Sequence, residues 1–422
     1  MEKKVKVVWL CTFMNDTLRK NIPEYISPIE RLLRKISRRP NSCNKSDFGI
    51  WMTNAIEDAE KRDDLEVTVI FPYSHLPKKI YKFDSDNVHY IAFKSESDYT
   101  FDRIKTVLWS SYSMRKTYSR NRKLICEIIS TINPDVVHCF GAENFDYSLS
   151  LLDLKGKYKT IIQLQTLLND PVFSGNYLFS EEVLSKKRAN EIAVLNAADY
   201  IGCMVDSYRS IISKHISSSD FIDTKLAIAP RIYDVRLSTK YDCVYFAADI
   251  SKAFDVALEV FGQVHKKLPE ATMLVVGGYS DSYMSNLVGR IEELGVKNNI
   301  TFTGILPSHD DVIDLVRTAK VALLPLKVDI VSSTIREAMA CGLPTVSTIT
   351  PGTPKMNEEG EVILLSECQD VDGLSEHVTS LLTDSNFYER YSKNALEYIQ
   401  NHFSNEKLVN DWVNYYKKII SE

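Results

Sequence analysis

Short apolar runs alternate along the whole chain with longer stretches whose apolar positions recur every three or four residues. The runs predict strands and the longer stretches predict amphipathic helices, which is the βαβ pattern of parallel sheets covered on both faces. In the first half the pattern predicts strands at Lys4–Phe13, Glu66–Phe71, Val88–Ala92, Val136–Phe140, Thr160–Gln165 and Tyr200–Met204. Helices are predicted between them, at Gly49–Lys61, Asn121–Ile132, Ser180–Asn196 and Ser207–Lys214. Pro134 ends one of these helices and Asp135 leads into the next strand. The second half restarts the pattern, with strands at Val244–Ala247, Thr272–Val276, Ile300–Thr303, Val321–Pro325, Thr345–Ser347 and Val362–Leu364. Its helices are predicted at Ala253–Leu268, Tyr283–Leu294, His309–Thr318, Ile335–Cys341, Val371–Asp384 and Phe387–Phe403.

A break near Pro230–Lys240 separates the two runs of strands. The predicted fold class is therefore α/β, with two Rossmann-like domains facing each other across a cleft. Expected bounds are 1–230 and 231–404, with a last helix over 405–422 that packs back on the first domain. Ligands of open α/β sheets bind beyond the carboxyl ends of the strands, so the cleft is where function is expected. A length of 422 residues suits two domains of about 200 residues each.

Composition narrows the class. The chain is 44% apolar and 25% charged, as ordinary globular proteins are. No apolar run approaches the roughly 20 residues of a membrane-spanning helix. The opening apolar run is interrupted by Lys6 and followed by Asn15 and Asp16, so it reads as a buried strand rather than a secretory signal, which predicts a cytoplasmic location. None of the eight cysteines forms a C-x-x-C pair, and Cys11, Cys139 and Cys203 lie in strand-like runs as small core hydrophobes would. The eight histidines show no metal-ligand spacing, His138 closing a strand-like run, so neither a structural zinc nor a metal hydrolase is expected.

Charge is distributed unevenly. Residues 1–200 carry 30 Lys/Arg against 26 Asp/Glu, a net of +4, while 201–422 carry 21 against 30, a net of −9. Residues 16–45 are rich in Lys and Arg, with Ile26, Ile29, Leu32, Leu33 and Ile36 at helical spacing on one face. Residues 103–123 hold seven Lys/Arg and no acid, interleaved with Trp109, Tyr112 and Tyr118. Such faces suit either an anionic membrane surface or the solvated side of a core helix, and both readings stay open. The acidic second half and a pI near 6.0 speak against nucleic acid.

The most informative stretch is Lys327 to Val346, which reads as strand, small-residue loop, helix, glycine stop and a proline entering the next strand. The loop Val331, Ser332, Ser333, Thr334 would present free N–H groups and hydroxyls at a helix N-terminus, which can hold phosphate. Glu337, one turn on, can take two ribose hydroxyls, and Asp329, eight residues earlier, can grip sugar hydroxyls. An ordinary N-cap followed by a first-turn acid explains the same residues equally well.

Glu337-Ala338-Met339-Ala340-Cys341-Gly342-Leu343-Pro344 resembles the signature of the retaining GT-B glycosyltransferases of family 4, glycosyl transferases group 1, in which two acids eight residues apart flank a phosphate loop. Asn133–His138, Met273–Gly278 and Ile300–Gly304 are similar to further segments of that family, so the resemblance covers nearly the whole chain. It implies that Glu337 binds the ribose, Val331–Thr334 the distal phosphate and Asp329 the sugar. It places Ile305 and Leu306, after Gly304, at the base, and gives Lys252 the neutralisation of the diphosphate. Gly278 and Gly49 would let the donor approach closely, and Gln165 would face the acceptor.

Several positions depart from the family pattern. The first acid is Asp329 rather than glutamate, and Ala247 replaces an arginine for which Arg231 or Arg317 can substitute. Gln165 stands where a histidine often ends its strand, and Gly49 alone remains of a glycine-rich loop. The resemblance implies a retaining hexosyl transfer without cofactor or metal, from a nucleotide-diphosphate sugar to a saccharide, lipid-linked in bacterial envelope or capsular polysaccharide synthesis. The enzyme would be cytoplasmic, or peripheral on the inner face of the plasma membrane. An Asp-x-Asp spacing, Asp84-Ser85-Asp86, is expected in a polar turn. A nucleotide-sugar epimerase of the same architecture and a non-catalytic nucleotide-sugar-binding subunit are the alternatives.

Overall fold

The computed structural model describes residues 4–26, 28, 31, 35, 47–73, 75–96, 117–171, 180–203, 206–216, 220–222, 238–246, 253–279, 281–327, 332–350 and 352–422. The chain divides into two compact units, Met1–Ile228 with Asn405–Glu422, and Ala229–Ser404.

The first unit is built on an eight-stranded sheet of β1 (Val5–Leu10), β2 (Leu65–Pro72), β3 (Ile80–Ser85), β4 (Val88–Phe93), β5 (Val136–Phe140), β6 (Lys159–Gln163), β7 (Tyr200–Gly202) and β8 (Asp220–Ile222). Their order across the sheet is β3-β4-β2-β1-β5-β6-β7-β8. All neighbours are parallel except β3, which pairs antiparallel with β4 through the turn at Asp86 and Asn87. The pattern of hydrophobic runs missed β3 and β8. In β3 the apolar Ile80, Tyr81 and Phe83 are interrupted by Lys82 and followed by Asp84 and Ser85, and β8 is three residues long. Asp84 and Ser85 therefore end a strand rather than lying in a turn, and only Asp86 turns, at φ 49°.

The core of this unit is aromatic. Trp9 meets the rings of Phe140 and Trp412 edge-on, at centroid distances of 6.0 and 5.6 Å. Trp412 and Tyr416 come from the final helix, Asn405–Ser421, which lies against β1 and the Ile50–Ala59 helix. Tyr416 accepts a hydrogen bond from Trp9 Nε1 at 3.1 Å, and its hydroxyl lies 2.6 Å from Nδ1 of His138, a fully buried residue within β5. Desolvation lowers the His138 pKa to about 3.

The second unit holds β9 (Tyr241–Phe246), β10 (Met273–Val276), β11 (Ile300–Phe302), β12 (Ala319–Leu324), β13 (Thr345–Thr348) and β14 (Leu364–Ser366). Their order is β11-β10-β9-β12-β13-β14, all parallel, which is the doubly wound order of a Rossmann sheet. β10 and the inner residues of β9 and β12 are buried, because helices cover both faces. The described cysteines are all free, and Cys11, Cys139, Cys203, Cys243 and Cys341 are buried. No helix among the described residues is long and apolar enough to cross a membrane. The Ile29, Leu32, Leu33 and Ile36 positions of the basic amphipathic stretch, and residues 103–116 of the second, lie outside the described residues.

Candidate functional site

In a Rossmann sheet the ligand crevice opens where strand order reverses, here beyond the carboxyl ends of β9 and β12. Past the end of β12, the Leu326 N–H donates to Thr348 Oγ1 at 2.7 Å and its carbonyl accepts from the same hydroxyl at 2.6 Å. Lys327 Nζ then reaches Asp255 Oδ2 at 3.0 Å, in the first turn of the Phe254–Lys267 helix that follows β9. The segments after the two switch-point strands are thus tied to each other. Lys252, Asp329 and Val331 belong to these segments but lie outside the described residues, as does Arg231.

The helix after β12 runs over Ser333–Ala340, two residues ahead of the expected start at Ile335. Ser332 is its N-cap and is buried; its hydroxyl accepts from the Ile335 N–H at 3.4 Å and lies 2.8 Å from Thr334 Oγ1. The capping reading and the anion reading meet here. Ser332 is committed to the cap, whereas Ser333 is exposed and Thr334 half-buried in the first turn, where unpaired N–H groups and the helix dipole favour an anion. Arg336, absent from the expected site, is buried; it donates from Nε to the Ser332 carbonyl at 3.3 Å and lies 5.3 Å from the Phe403 ring centroid. It braces the cap from below.

Glu337 is 8% exposed, one turn into this helix. Its Oε1 lies 3.3 Å from His309 Nε2. Sequence reasoning missed His309, because no spacing signal links residues 28 positions apart. Arg317, weighed as a substitute cation, sits 3.4 Å from Asp314 at the end of the helix that His309 begins.

The facing edge of this unit's sheet supplies the glycine segments. Gly277 and Gly304 form an isolated bridge, and Gly304 has a φ of 68° that favours glycine. A Cβ on Gly278 would overlap Ile305 Cγ1, so the absence of a side chain lets Ile305 lie against the loop with 60% of its surface exposed. Leu306 beside it is half-buried. Phe254 and Tyr279 stack at 5.2 Å, with Tyr283 5.3 Å further along, an aromatic floor beneath the same edge.

In the first unit, Gly49 caps the Ile50–Ala59 helix at φ 64°. A Cβ there would stand 2.9 Å from Phe13 Cβ and 3.0 Å from the Thr12 carbonyl oxygen, so the backbone alone requires glycine. Gln165 lies half-buried in a bend two residues past β6. Glu143, three residues past β5, went unnoticed in the sequence. Its Oε2 is buried with no hydrogen-bond partner among the described residues, and Asn144 Nδ2 donates to its Oε1 at 3.2 Å. Desolvation, helped by the Glu191 carboxylate, raises its pKa to about 7 against the weaker pull of its own N–H, Asn144 and Thr166. Among the described residues no group of three or more His, Cys, Asp or Glu is placed to hold a metal.

Residues 237–398 match the glycosyl transferases group 1 family. The match holds the whole of the switch-point site just described. Among curated proteins, N-acetyl-alpha-D-glucosaminyl L-malate synthase of Bacillus anthracis is 24% identical over 36% of this chain, and the chain spans 39% of that relative's length. Sucrose-phosphate synthase from Thermosynechococcus elongatus superposes with a TM-score of 0.69 at 15% identity, covering 99% of both chains. A structure from Anabaena in complex with UDP and glucose gives 0.65 at 13% identity, over 98% of this chain and 100% of that one. The fold is GT-B, the two-Rossmann fold of these glycosyltransferases.

Proposed function

We propose that this chain is a retaining, metal-independent glycosyltransferase that moves a hexosyl group from a nucleotide-diphosphate sugar to a saccharide acceptor. The observation that carries the reading is the presence, beyond the carboxyl ends of the second unit's strands, of an N-capped helix start, a nearly buried carboxylate in contact with His309, and a glycine-flanked apolar ledge on the segment that leads to His309. Each suits one part of a nucleotide diphosphate. The first turn at Ser333 and Thr334 receives the distal phosphate, Glu337 the ribose hydroxyls, and Ile305 and Leu306 the base. Val331 extends the phosphate loop, Lys252 adds positive charge, and Asp329 orients the sugar.

Helix dipole, loop amides and lysine together stabilise the departing nucleoside diphosphate, which is where negative charge develops as the glycosidic bond breaks. The acceptor hydroxyl attacks from the same face and gives its proton to the leaving phosphate oxygen, so configuration is retained. The relative from Anabaena, complexed with UDP and glucose, supports a nucleoside-diphosphate hexose as the donor class. For the acceptor we favour a lipid-linked saccharide in bacterial envelope or capsule assembly, met by a cytoplasmic enzyme at the inner face of the membrane, because the first half is net positive.

The test incubates the purified chain with UDP-, GDP- and ADP-hexoses and follows donor breakdown and anomeric configuration by NMR. Release of the sugar with its configuration kept, undiminished in excess EDTA, is expected. Turnover that vanishes with EDTA and returns with magnesium or manganese overturns metal independence; isomerised donor without transfer points to an epimerase. A chain that binds donors without consuming them is a binding subunit.

A further inference from the structure

We infer that His309 is a positioning residue for nucleoside recognition, holding the Glu337 carboxylate from the end of the same segment that carries Ile305 and Leu306. The inference rests on the ribose role proposed for Glu337. Its geometry is direct: Nε2 of His309 lies 3.3 Å from Oε1 of Glu337, with side chains 22% and 10% exposed. A carboxylate so far out of water needs a donor to keep one orientation. Among the described residues His309 is the side chain placed to supply one. With Oε1 engaged, Oε2 is left for a ligand hydroxyl.

His309 is itself held firmly. It is the first residue of the His309–Val316 helix, behind a capping box in which Ser308 Oγ accepts from the Asp311 N–H at 3.1 Å and Asp311 Oδ2 accepts from the Ser308 N–H at 3.2 Å. Five residues before it, Gly304 turns the chain in a left-handed conformation, and Ile305 then stands over Gly278. The segment 304–309 therefore runs from the apolar ledge to the carboxylate. One short piece of backbone fixes the base contact and, through the imidazole, the ribose contact. A ligand that seats its base on Ile305 meets Glu337 already aimed, and that pre-organisation lowers the ordering cost of binding.

The experiment titrates the full-length chain calorimetrically with UDP, GDP and ADP, each beside its 2′,3′-dideoxy analogue, and with inorganic pyrophosphate. Wild type, Glu337→Gln, His309→Ala and His309→Gln are compared. Wild type is expected to prefer at least one ribonucleotide over its dideoxy partner, and Glu337→Gln to lose that preference. His309→Ala should weaken the ribonucleotide about tenfold, the effect of one charge-assisted hydrogen bond, with pyrophosphate affinity unchanged. His309→Gln, whose amide can still donate, should recover much of the loss. If wild type binds no nucleotide, or Glu337→Gln keeps the wild-type preference, the ribose reading falls and this inference with it. If Glu337→Gln loses the preference while His309→Ala keeps it, the inference alone is overturned. It is equally overturned if His309→Ala weakens pyrophosphate in step with the nucleotide, which marks general damage to the site, or if His309→Gln recovers nothing.

Discussion

Glu143 makes the stability of the first unit depend on pH in a direction unusual for a carboxylate, and Glu143→Gln isolates the effect. The side chain folds back over Gly141, where an added Cβ would sit 2.8 Å from its Oε1, and its Oε2 has no hydrogen-bond partner among the described residues. Burial favours the neutral acid, so the folded-state pKa stands near 7 against the ordinary 4.5. A raised folded pKa means the native state binds the proton more tightly than the unfolded chain. The stability this confers is complete below about pH 4.5 and is lost as pH rises through about 7. At roughly 1.4 kcal/mol per pH unit, ionising Glu143 costs about 3 kcal/mol by pH 8, a large share of the roughly 5–15 kcal/mol that holds a domain together. Glutamine imitates the protonated acid without titrating.

The variant should therefore match wild type near pH 4.5 and exceed it by about 2–3 kcal/mol at pH 8. Urea unfolding followed by tryptophan fluorescence reads this unit alone, because all four tryptophans, Trp9, Trp51, Trp109 and Trp412, belong to it. The comparison must be the difference between the two proteins rather than the wild-type curve. His138, with its pKa lowered to about 3, contributes stability that is present above about 6.5 and lost as pH falls, in an overlapping window. It cancels in the difference. A difference that stays flat from pH 4.5 to 8, or that favours wild type at pH 8, refutes the assignment of a buried, neutral carboxyl.

Two further outcomes follow from the second unit and from the charge pattern. Gly278→Ala drives a methyl into Ile305 Cγ1 and should weaken nucleoside diphosphate binding several-fold while pyrophosphate binding and the melting temperature hardly change; nucleoside diphosphate affinity that stays at the wild-type level sinks the ledge. Anionic vesicles should sediment the chain at 0.1 M salt and release it at 1 M, where the Debye length shrinks to about 3 Å, and charge reversal at Arg34, Lys35, Arg38 and Arg39 should abolish sedimentation. Wild type that ignores anionic vesicles at every salt concentration makes the basic stretches solvated surface only.

Much of the candidate site was legible because its chemistry is local. The run from Lys327 to Val346 announces itself through small residues at a helix start and a glycine at its stop, and the helix differs from the expected one by two residues at its start, where capping by Ser332 and not apolar spacing sets the boundary. What was hidden is whatever depends on a partner distant in sequence. Strand β3 gains its place only by pairing with β4, and its Lys82 and Asp84 gave no sign of that pairing. The sequence offers Gly49 as room for a donor and gives no sign that its φ of 64° and the nearness of Phe13 require glycine whether or not a ligand comes.

The deepest gap is topological. β9 and β12 are neighbours although two strands and three helices intervene between them in the chain, because order in a Rossmann sheet reverses at that point. That reversal sets Lys327 against Asp255 and His309 against Glu337. Asp255, Lys327 and His309 are unremarked residues in their own stretches of sequence. Only the crossing connections give either pair a partner, and the partner turns a surface lysine into a tie across the switch point and a helix-start histidine into the support of a buried carboxylate. A motif scan ranks Glu337 high and His309 nowhere, yet the carboxylate can be aimed at a ribose only if something holds its other oxygen. The residues that position a site are thus systematically less visible in sequence than the residues that touch its ligand, since their role is conferred by the fold rather than by their neighbours.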